Sequence, residues 1–172
     1  PQNASIADFT PEELAKKLGA VDVILGGPSC QTFSTQGRRF TWADPEDERT
    51  GLWRHMFAVV DKVRPRAFLL ENVPGLSHKG LAYEEGGEAR GEIADHFRAL
   101  GYKLRASILL AADYGVPQLR RRLFVVGVLD GLDFDFPDPT HLGGWRRDSL
   151  DKWEVERQRR GLLRHLTLND AL

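Results

Sequence analysis

Short apolar runs alternate with amphipathic segments over the first 130 residues of the chain. Four of these runs are rich in β-branched residues and leucine and predict strands, at 21–25, 67–70, 102–110 and 123–129. Three helices are predicted. Thr10 as a cap, Pro11 at the first helical position and Glu13 completing a capping box predict a helix that ends near Gly19. Apolar residues with a period of about 3.6 predict helices from a Thr50 cap to Val63 and over about 88–100. This order favours an α/β fold with a mostly parallel sheet and helices on both faces.

The first two predicted strands, 21–25 and 67–70, are mainly apolar, with Asp22 as the one charged residue, and are expected to be buried. The first runs into Gly26-Gly27-Pro28 and a polar stretch from Cys30 to Arg49, and the second runs into Glu71-Asn72-Val73. Because ligands of α/β sheets bind beyond the carboxyl ends of the strands, we expect both loops to open onto that edge. A loop of about twenty residues is uncommon in a compact domain and is typical of a functional segment.

After residue 130 the pattern weakens. Residues 134–139 predict an extended loop, and the charged segment 151–166 predicts a helix with Trp153, Leu162, Leu163 and Leu166 as its apolar residues. The sequence contains no internal repeat, and no apolar run approaches the roughly 20 residues that span a bilayer.

Composition narrows the function classes. The chain has 172 residues, which predicts one domain, and 24 Lys and Arg balance 25 Asp and Glu to a net charge of −1. A nucleic-acid surface would therefore have to be local. The single cysteine, Cys30, excludes an internal disulfide and a multi-cysteine metal site, so we predict no bound metal. A lone cysteine fits a reducing compartment, and we expect an intracellular protein, in the bacterial cytoplasm or nucleoid or the eukaryotic nucleus.

Three polar groups beside the predicted strands are candidates for chemistry. Cys30 follows a strand and a tight turn, where a thiol can act as a nucleophile, although most single cysteines are small buried hydrophobes. Glu71 ends an apolar strand, where a carboxyl group suits proton donation to a ring nitrogen; a surface glutamate is the alternative. Gln118, Arg120 and Arg122 offer a donor set for carbonyl or phosphate oxygens; a solvated basic stretch is the alternative.

Three motifs in a fixed order carry a resemblance to a known family. They are residues 26–34 (GGPSCQTFS), 71–73 (ENV) and 114–122 (YGVPQLRRR). They resemble the nucleophile loop, the Glu-Asn-Val motif and the Gln-x-Arg-x-Arg block of the DNA cytosine-5 methyltransferases. The similarity runs from about Val21 to Val128, and residues 166–172 resemble the stretch that follows in the family. The resemblance implies a Rossmann-like methyltransferase sheet that uses S-adenosyl-L-methionine (SAM).

The resemblance also implies a mechanism. Cys30 would add to C6 of a cytosine flipped out of double-stranded DNA, giving a covalent adduct. Glu71 would hold N3 and the exocyclic amine and supply a proton, and Arg122 would bind the cytosine O2 atom. Carbon C5 would then take the methyl group, and loss of the C5 proton with release of Cys30 would give 5-methylcytosine.

Other positions follow from the same resemblance. On the substrate side it implies Arg120, nearer the phosphates, together with Asn72, Gln118, Gln31 and Ser34. Asn72 and Gln118 would mainly fix the loop backbones. On the cofactor side it implies Pro28 and Leu52.

The resemblance assigns residues 1–130 to the central and C-terminal part of a catalytic domain. Residues 131–172 would form an extended loop and a helical segment leading toward a target-recognition region. The family's glycine-rich cofactor loop would precede Pro1, and its recognition region and closing motif would follow Leu172. We therefore expect a sheet incomplete at both ends, partners in DNA and the remaining parts of the enzyme but no membrane, and a segment that is catalytically silent by itself.

Other functions stay open at this point. Some relatives with these motifs act on tRNA, and a methyl-transfer assay with DNA and tRNA in parallel would discriminate the two substrates. Non-catalytic DNA-binding relatives typically lack the cysteine or the glutamate, whereas Cys30 and Glu71 are both present here. A thiol hydrolase would need a histidine partner, and no motif ties any of the five histidines to Cys30.

Overall fold

The structure is a computed structural model that describes residues 8–28, 48–74, 82–83, 87–129, 131–143 and 150–171. Its helices are α1 (Pro11–Leu18), α2 (Glu48–Val63), α3 (Glu92–Ala99), α4 (Leu150–Arg160) and α5 (Leu168–Ala171), with a 3₁₀ turn over Ala111–Tyr114. Its strands are β1 (Val23–Gly26), β2 (Ala67–Asn72), β3 (Ala82–Tyr83), β4 (Ala89–Arg90), β5 (Tyr102–Leu110), β6 (Arg121–Leu129), β7 (His141–Leu142) and β8 (Leu163–Arg164). The chain divides into two compact units, the first formed by 1–107 with 123–135 and the second by 108–122 with 136–172.

The main sheet has four strands in the order β1-β2-β6-β5. Strands β1 and β2 are parallel, with Val23 opposite Ala67 and Gly26 opposite Leu70. Strand β6 runs antiparallel to β2 and places Leu123 opposite Asn72. The sheet is therefore mixed, and its parallel pair carries both polar loops at the same end.

An aromatic cluster fills the space between this sheet and its helices. The ring of Phe97 from α3 lies 4.9 Å from Phe57 of α2 and 4.8 Å from Phe68 of β2. Tyr102 packs edge-on against Phe68 and donates a hydrogen bond from its hydroxyl group to the carbonyl oxygen of Pro65 at 2.6 Å. A Cβ on Gly127 would overlap the Phe68 ring, so the glycine leaves room for this packing. Burial of these rings is the main apolar contribution to the first unit.

Helix α1 forms where the sequence predicts it. The hydroxyl group of Thr10 accepts a hydrogen bond from the Glu13 backbone N–H, and the Glu13 carboxylate accepts one from the Thr10 N–H. This reciprocal capping box fixes the first turn, and Gly19 follows the last. The prediction of strand β5 over 102–110 is likewise confirmed at both ends.

Several predicted boundaries and burials are wrong for physical reasons. Strand β1 is an edge strand of the described sheet, and one of its faces is uncovered, so Val23 and Leu25 are 53% and 74% exposed while Ile24 and Gly26 between and after them are half-buried. Helix α2 begins at Glu48, which places Thr50 inside the helix instead of at its cap. Strand β2 continues through Glu71 and Asn72 because both residues pair with β6.

Two helices are shorter than predicted. Helix α3 begins at Glu92, since the residues before it are extended: β4 pairs with β3, and Glu88 bridges to Arg105. Helix α4 ends at Arg160 because Gly161 adopts a φ of 66°, and Leu163 then enters β8 instead of continuing a helix to residue 166. None of the helices described is long and apolar enough to cross a membrane.

The second unit contains little regular structure. Its 3₁₀ turn leads into a loop, and its two short strands β7 and β8 pair in parallel. The Leu163 N–H donates to the carbonyl oxygen of Thr140 at 3.0 Å, extending the connection between these strands. Helices α4 and α5 flank β8 along the chain.

Candidate active site

Asn72 joins the two polar loops that follow β1 and β2. Its side chain is 2% exposed, and its amide nitrogen donates a hydrogen bond to the carbonyl oxygen of Pro28 at 3.3 Å. Its amide oxygen accepts the backbone N–H of Val73 at 2.8 Å. A buried amide that is satisfied on both sides fixes the backbones it touches, because losing either bond would leave a buried polar group unpaired. The residue before the Ser29-Cys30 step is thereby fixed to the end of β2.

Glu71 also lies at the carboxyl end of β2, beside the end of β1. Its side chain is half-buried, and its Oε2 atom lies 3.5 Å from the position that a Cβ on Gly27 would take. The carboxyl group therefore stands against the backbone that leads to Pro28. The sequence expectation that both loops open onto one edge agrees with this geometry.

Gly26 sets the approach of helix α2 to the same strand end. A Cβ on Gly26 would overlap the sulfur atom of Met56, so only glycine allows this helix to pack so closely. Leu52, predicted on the cofactor side, belongs to the same helix. The close contact holds α2 near the carboxyl end of β1.

In the second unit, residues 111–120 form a closed loop. The Ala111 N–H donates to the carbonyl oxygen of Arg120 at 2.9 Å, so the ends of the loop meet. Gly115 ends the 3₁₀ turn with a φ of 82°, a conformation that side-chain-bearing residues rarely adopt. Gln118 and Arg120 are exposed on this loop, and Arg122 lies in β6 with its guanidinium donating to the Arg121 carbonyl oxygen at 2.7 Å.

A polar anchor holds the first turn of that loop, and sequence reasoning missed it. The His165 Nε2 atom lies 2.7 Å from the Asp113 carboxylate, and the Asp113 carbonyl oxygen accepts the Thr140 N–H at 2.9 Å. His165 and Asp113 are 52 positions apart, and neither lies in a periodic pattern that would have indicated the contact.

A cavity of about 490 Å³ lies within the second unit. Gln118 and Leu119 of the loop, Trp153 and Arg157 of α4, and His165 contribute to its lining. The guanidinium of Arg157 is bound to Glu154, and that of Arg164, also on the lining, is bound to Asp170. The charges of both guanidiniums are therefore balanced by carboxylates within the unit.

The structure thus brings together two sets of predicted site residues. Pro28, Glu71 and Asn72 meet in the first unit. Gln118, Arg120 and Arg122 belong to the second. Cys30, Gln31 and Ser34 lie outside the described residues, as does the Leu52 side chain. In the described part of the chain, no group of three or more histidine, cysteine or acidic residues is arranged to hold a metal ion.

Comparison with known proteins decides the family. The family model described as C-5 cytosine-specific DNA methylase matches residues 2–163. The chain belongs to this family. The motifs that carried the resemblance lie within the matched range, so the family prediction is confirmed.

Individual relatives agree with this assignment. The type II methyltransferase M.AgeI of Thalassovita gelatinovora is 42% identical over 146 residues, which cover 83% of this chain and 32% of that protein. M1.HphI of Haemophilus parahaemolyticus is 43% identical over 122 residues, 70% of this chain and 31% of that protein. The chain thus spans about a third of the length of these curated relatives.

A solved structure shows the same fold. The S. pombe Dnmt2 methyltransferase matches with a TM-score of 0.51 and 23% identity, over 86% of this chain and 39% of that one. The predicted α/β, Rossmann-like methyltransferase fold is confirmed.

Proposed function

We propose that this protein transfers a methyl group from SAM to C5 of cytosine in DNA. The observation that carries the proposal is the Asn72 tie, which fixes Pro28, two residues before Cys30, beside Glu71. Membership of the C-5 cytosine-specific DNA methylase family supports it. Because M.AgeI and M1.HphI are type II methyltransferases, we further propose a role in restriction and modification.

Cys30 and Glu71 together make C5 of cytosine nucleophilic, Cys30 by adding to C6 and Glu71 by protonating N3. Cytosine C5 is a poor nucleophile until C6 gains a substituent and N3 gains a proton. The Cys30 thiolate forms the S–C6 bond, while Glu71 donates a proton to N3, so that the electron pair released at C5 can take the methyl group. The C5 proton then passes to solvent water, its electron pair re-forms the C5=C6 double bond as the S–C6 bond breaks to restore the thiolate, and N3 returns its proton to Glu71. Attack inside a helical duplex is sterically blocked, so the cytosine is flipped out.

Arg120, Arg122 and Gln118 bind the substrate in this proposal. A guanidinium is a fixed fork of donors, suited to the cytosine O2 atom and to phosphate oxygens. The closed loop 111–120 presents Gln118 and Arg120 at its exposed side, which is the side a duplex can reach. Gln31 and Ser34 are proposed substrate contacts from the Cys30 loop.

The residues present fit one side of a SAM site. Pro28 is half-buried at the carboxyl end of β1, where ligands of this fold bind, and α2 is held against that strand end by the Met56–Gly26 contact. Pro28 and Leu52 would contact the cofactor there. When bound, SAM supplies an electrophilic methyl group on sulfur.

Trapping experiments with the full-length protein test the proposal. A duplex containing 5-fluorocytosine cannot lose a C5 proton, so the S–C6 adduct should accumulate at Cys30 and be found by peptide mass spectrometry. Cys30→Ser should lower methyl transfer by several orders of magnitude and form no adduct. An adduct on another residue, or one formed equally well by the serine variant, would refute the nucleophile.

The substrate and the acid are tested separately. Labelled methyl transfer is measured on duplex DNA and on tRNA in parallel; transfer to tRNA alone would replace the proposed substrate. Glu71→Gln keeps the shape and a donor but cannot transfer a proton, so the rate should fall about 10²-fold with duplex affinity little changed. Near-normal turnover of that variant would remove Glu71 from the mechanism.

A further inference from the structure

We propose that Asp113 and His165 are positioning residues, which hold the loop 111–120 in the orientation that lets Gln118 and Arg120 bind the nucleic-acid substrate. The inference rests on the proposed function for its effect on substrate binding. The anchoring itself is argued from contacts within the second unit.

The anchor contacts the loop at its first turn and from two distant segments. The His165 Nε2 atom lies 2.7 Å from Asp113 Oδ1, and Thr140 donates its backbone N–H to the Asp113 carbonyl oxygen at 2.9 Å. The side chains of His165 and Asp113 are only 16% and 28% exposed. A partly dehydrated pair of this kind is screened less by water and salt than an exposed one.

Both histidines of this region lie against glycines, which leaves each ring little freedom. A Cβ on Gly143 would stand 3.0 Å from the His165 ring, and a Cβ on Gly115 would stand 2.9 Å from the His141 ring. His141 is buried and lies 2.8 Å, Nδ1 to Oγ1, from Thr140. The ring of His165 is therefore placed by packing as well as by its contact with Asp113.

Within the loop, apolar burial is confined to its first turn, where Ala112 is 1% exposed. Val116 and Leu119 are 45% and 54% exposed, so they do not anchor the loop by apolar burial. The Tyr114 hydroxyl group donates to the Pro137 carbonyl oxygen at 3.0 Å, next to the turn that Asp113 holds. Gln118 and His165 line the same cavity, so displacement of the His165 ring changes the surroundings of the residue proposed to face the substrate.

Because the proposed DNA contacts and the proposed cofactor contacts lie in different units, their binding can be compared to test the inference. Gln118 and Arg120 lie in the second unit with the anchor, whereas Pro28 and Leu52, proposed for the cofactor, lie in the first. Loosening the anchor should weaken duplex binding and leave SAM binding unchanged. A residue that merely stabilised the whole protein would change both.

The experiment compares the unaltered full-length protein with four variants, each of which carries one substitution. His165→Ala removes the anchor, and His165→Gln keeps an N–H donor toward Asp113. Gly143→Ala pushes the ring without altering either partner. Glu156→Gln is the matched control, because it breaks an ion pair with Arg159 on the exposed side of α4 and alters neither member of the anchor. For each protein, KM is measured for a DNA duplex and for SAM, and amide hydrogen exchange is followed in the peptide covering 111–120.

His165→Ala should raise the duplex KM about tenfold, the scale of one lost charge-assisted hydrogen bond, with the SAM KM within about twofold of normal. Gly143→Ala should act in the same direction, His165→Gln should recover most of the loss, and Glu156→Gln should change neither constant. Amide hydrogen exchange in the loop should rise in His165→Ala and Gly143→Ala but not in the other two variants.

Two outcomes overturn the inference: loop exchange and duplex KM unchanged in His165→Ala, or equal increases in both KM values. A third outcome separates the two proposals. If the unaltered protein transfers no methyl group to DNA, the proposed function fails, and the exchange comparison alone then decides whether Asp113 and His165 hold the loop.

Discussion

The two compact units differ in how many apolar side chains each buries in its own interior. In the first, apolar side chains from α2, α3, β2 and β5 meet in one cluster, with Phe57, Phe68, Phe97 and Tyr102 at its centre. In the second, Ala112 is the only apolar residue that is fully buried among those described. Its segments are joined instead by ion pairs and hydrogen bonds: Asp113–His165, Arg157–Glu154, Arg164–Asp170 and Thr140 with the Asp113 backbone.

This difference matters for function. An apolar core resists displacement because every movement opens a void, so it suits the frame on which Cys30 and Glu71 are proposed to work. A polar anchor can be broken locally at smaller cost, which suits a loop that is proposed to bind a substrate. The comparison predicts large stability losses from the first unit and smaller, local effects from the second.

The largest effect is expected from Phe97→Ala. Phe97 is fully buried and contacts three other aromatic rings, so its truncation should lower the free energy of unfolding by about 3–5 kcal/mol. Urea denaturation measures the loss. Val155→Ala in α4 is the control, since Val155 is 67% exposed and should cost less than about 0.5 kcal/mol. Similar losses in both variants would contradict the contrast between the units.

A smaller effect is expected from Asn72→Ala. It leaves the Pro28 carbonyl oxygen and the Val73 N–H without their partner and should cost about 1–3 kcal/mol in unfolding free energy. Asn72→Asp keeps the acceptor for Val73 but loses the donor to Pro28, so it isolates the tie to the Cys30 loop. Methyl transfer should fall in both variants. Full activity in Asn72→Asp would show that the tie is dispensable.

Thr10→Ala tests a local polar interaction in the unit that has the apolar core. The capping box fixes the first turn of α1, and loss of a helix cap costs about 1 kcal/mol. Thr10→Ser, which keeps the hydroxyl group, should retain most of that stability. Thermal denaturation compares the two variants, and an equal loss in both would mean that the methyl group rather than the hydrogen bond matters.

The smallest effect concerns pH and the second unit. The Arg164 guanidinium, and then Thr167, hold the pKa of Asp170 well below its ordinary value. A carboxyl group with a depressed pKa in the folded state stabilises the fold above its unfolded pKa of about 3.9, and the contribution is lost as pH falls from there toward the folded pKa. Asp170→Asn should therefore lower Tm slightly at pH 7 and remove part of the acid dependence below about pH 4. The pair is exposed, so the shift should be small, and an unchanged acid profile would refute the role of Asp170.

Local sequence determined the elements whose signals are local. Thr10 and Glu13 are three residues apart, so the capping box could be predicted, and the segment 102–110, in which polar and apolar residues alternate at its start, predicted β5 at both ends. The adjacency of Pro28 and Glu71 also followed from sequence, because consecutive parallel strands place their carboxyl ends together. The roles of Cys30, Gln31 and Ser34 remain predictions.

Tertiary structure decided what depends on distant partners. Glu71 and Asn72 extend β2 only because β6 pairs with them, and the exposure of Val23 and Leu25 in β1 depends on what packs on that face of the strand. Asp113 and His165 carry no periodic or motif signal, since a contact across 52 positions is set by how the chain returns on itself. Apolar burial leaves a pattern in the sequence because many residues share it. A single polar contact between distant residues leaves none, which is why the anchor of the loop 111–120 appeared only in the folded protein.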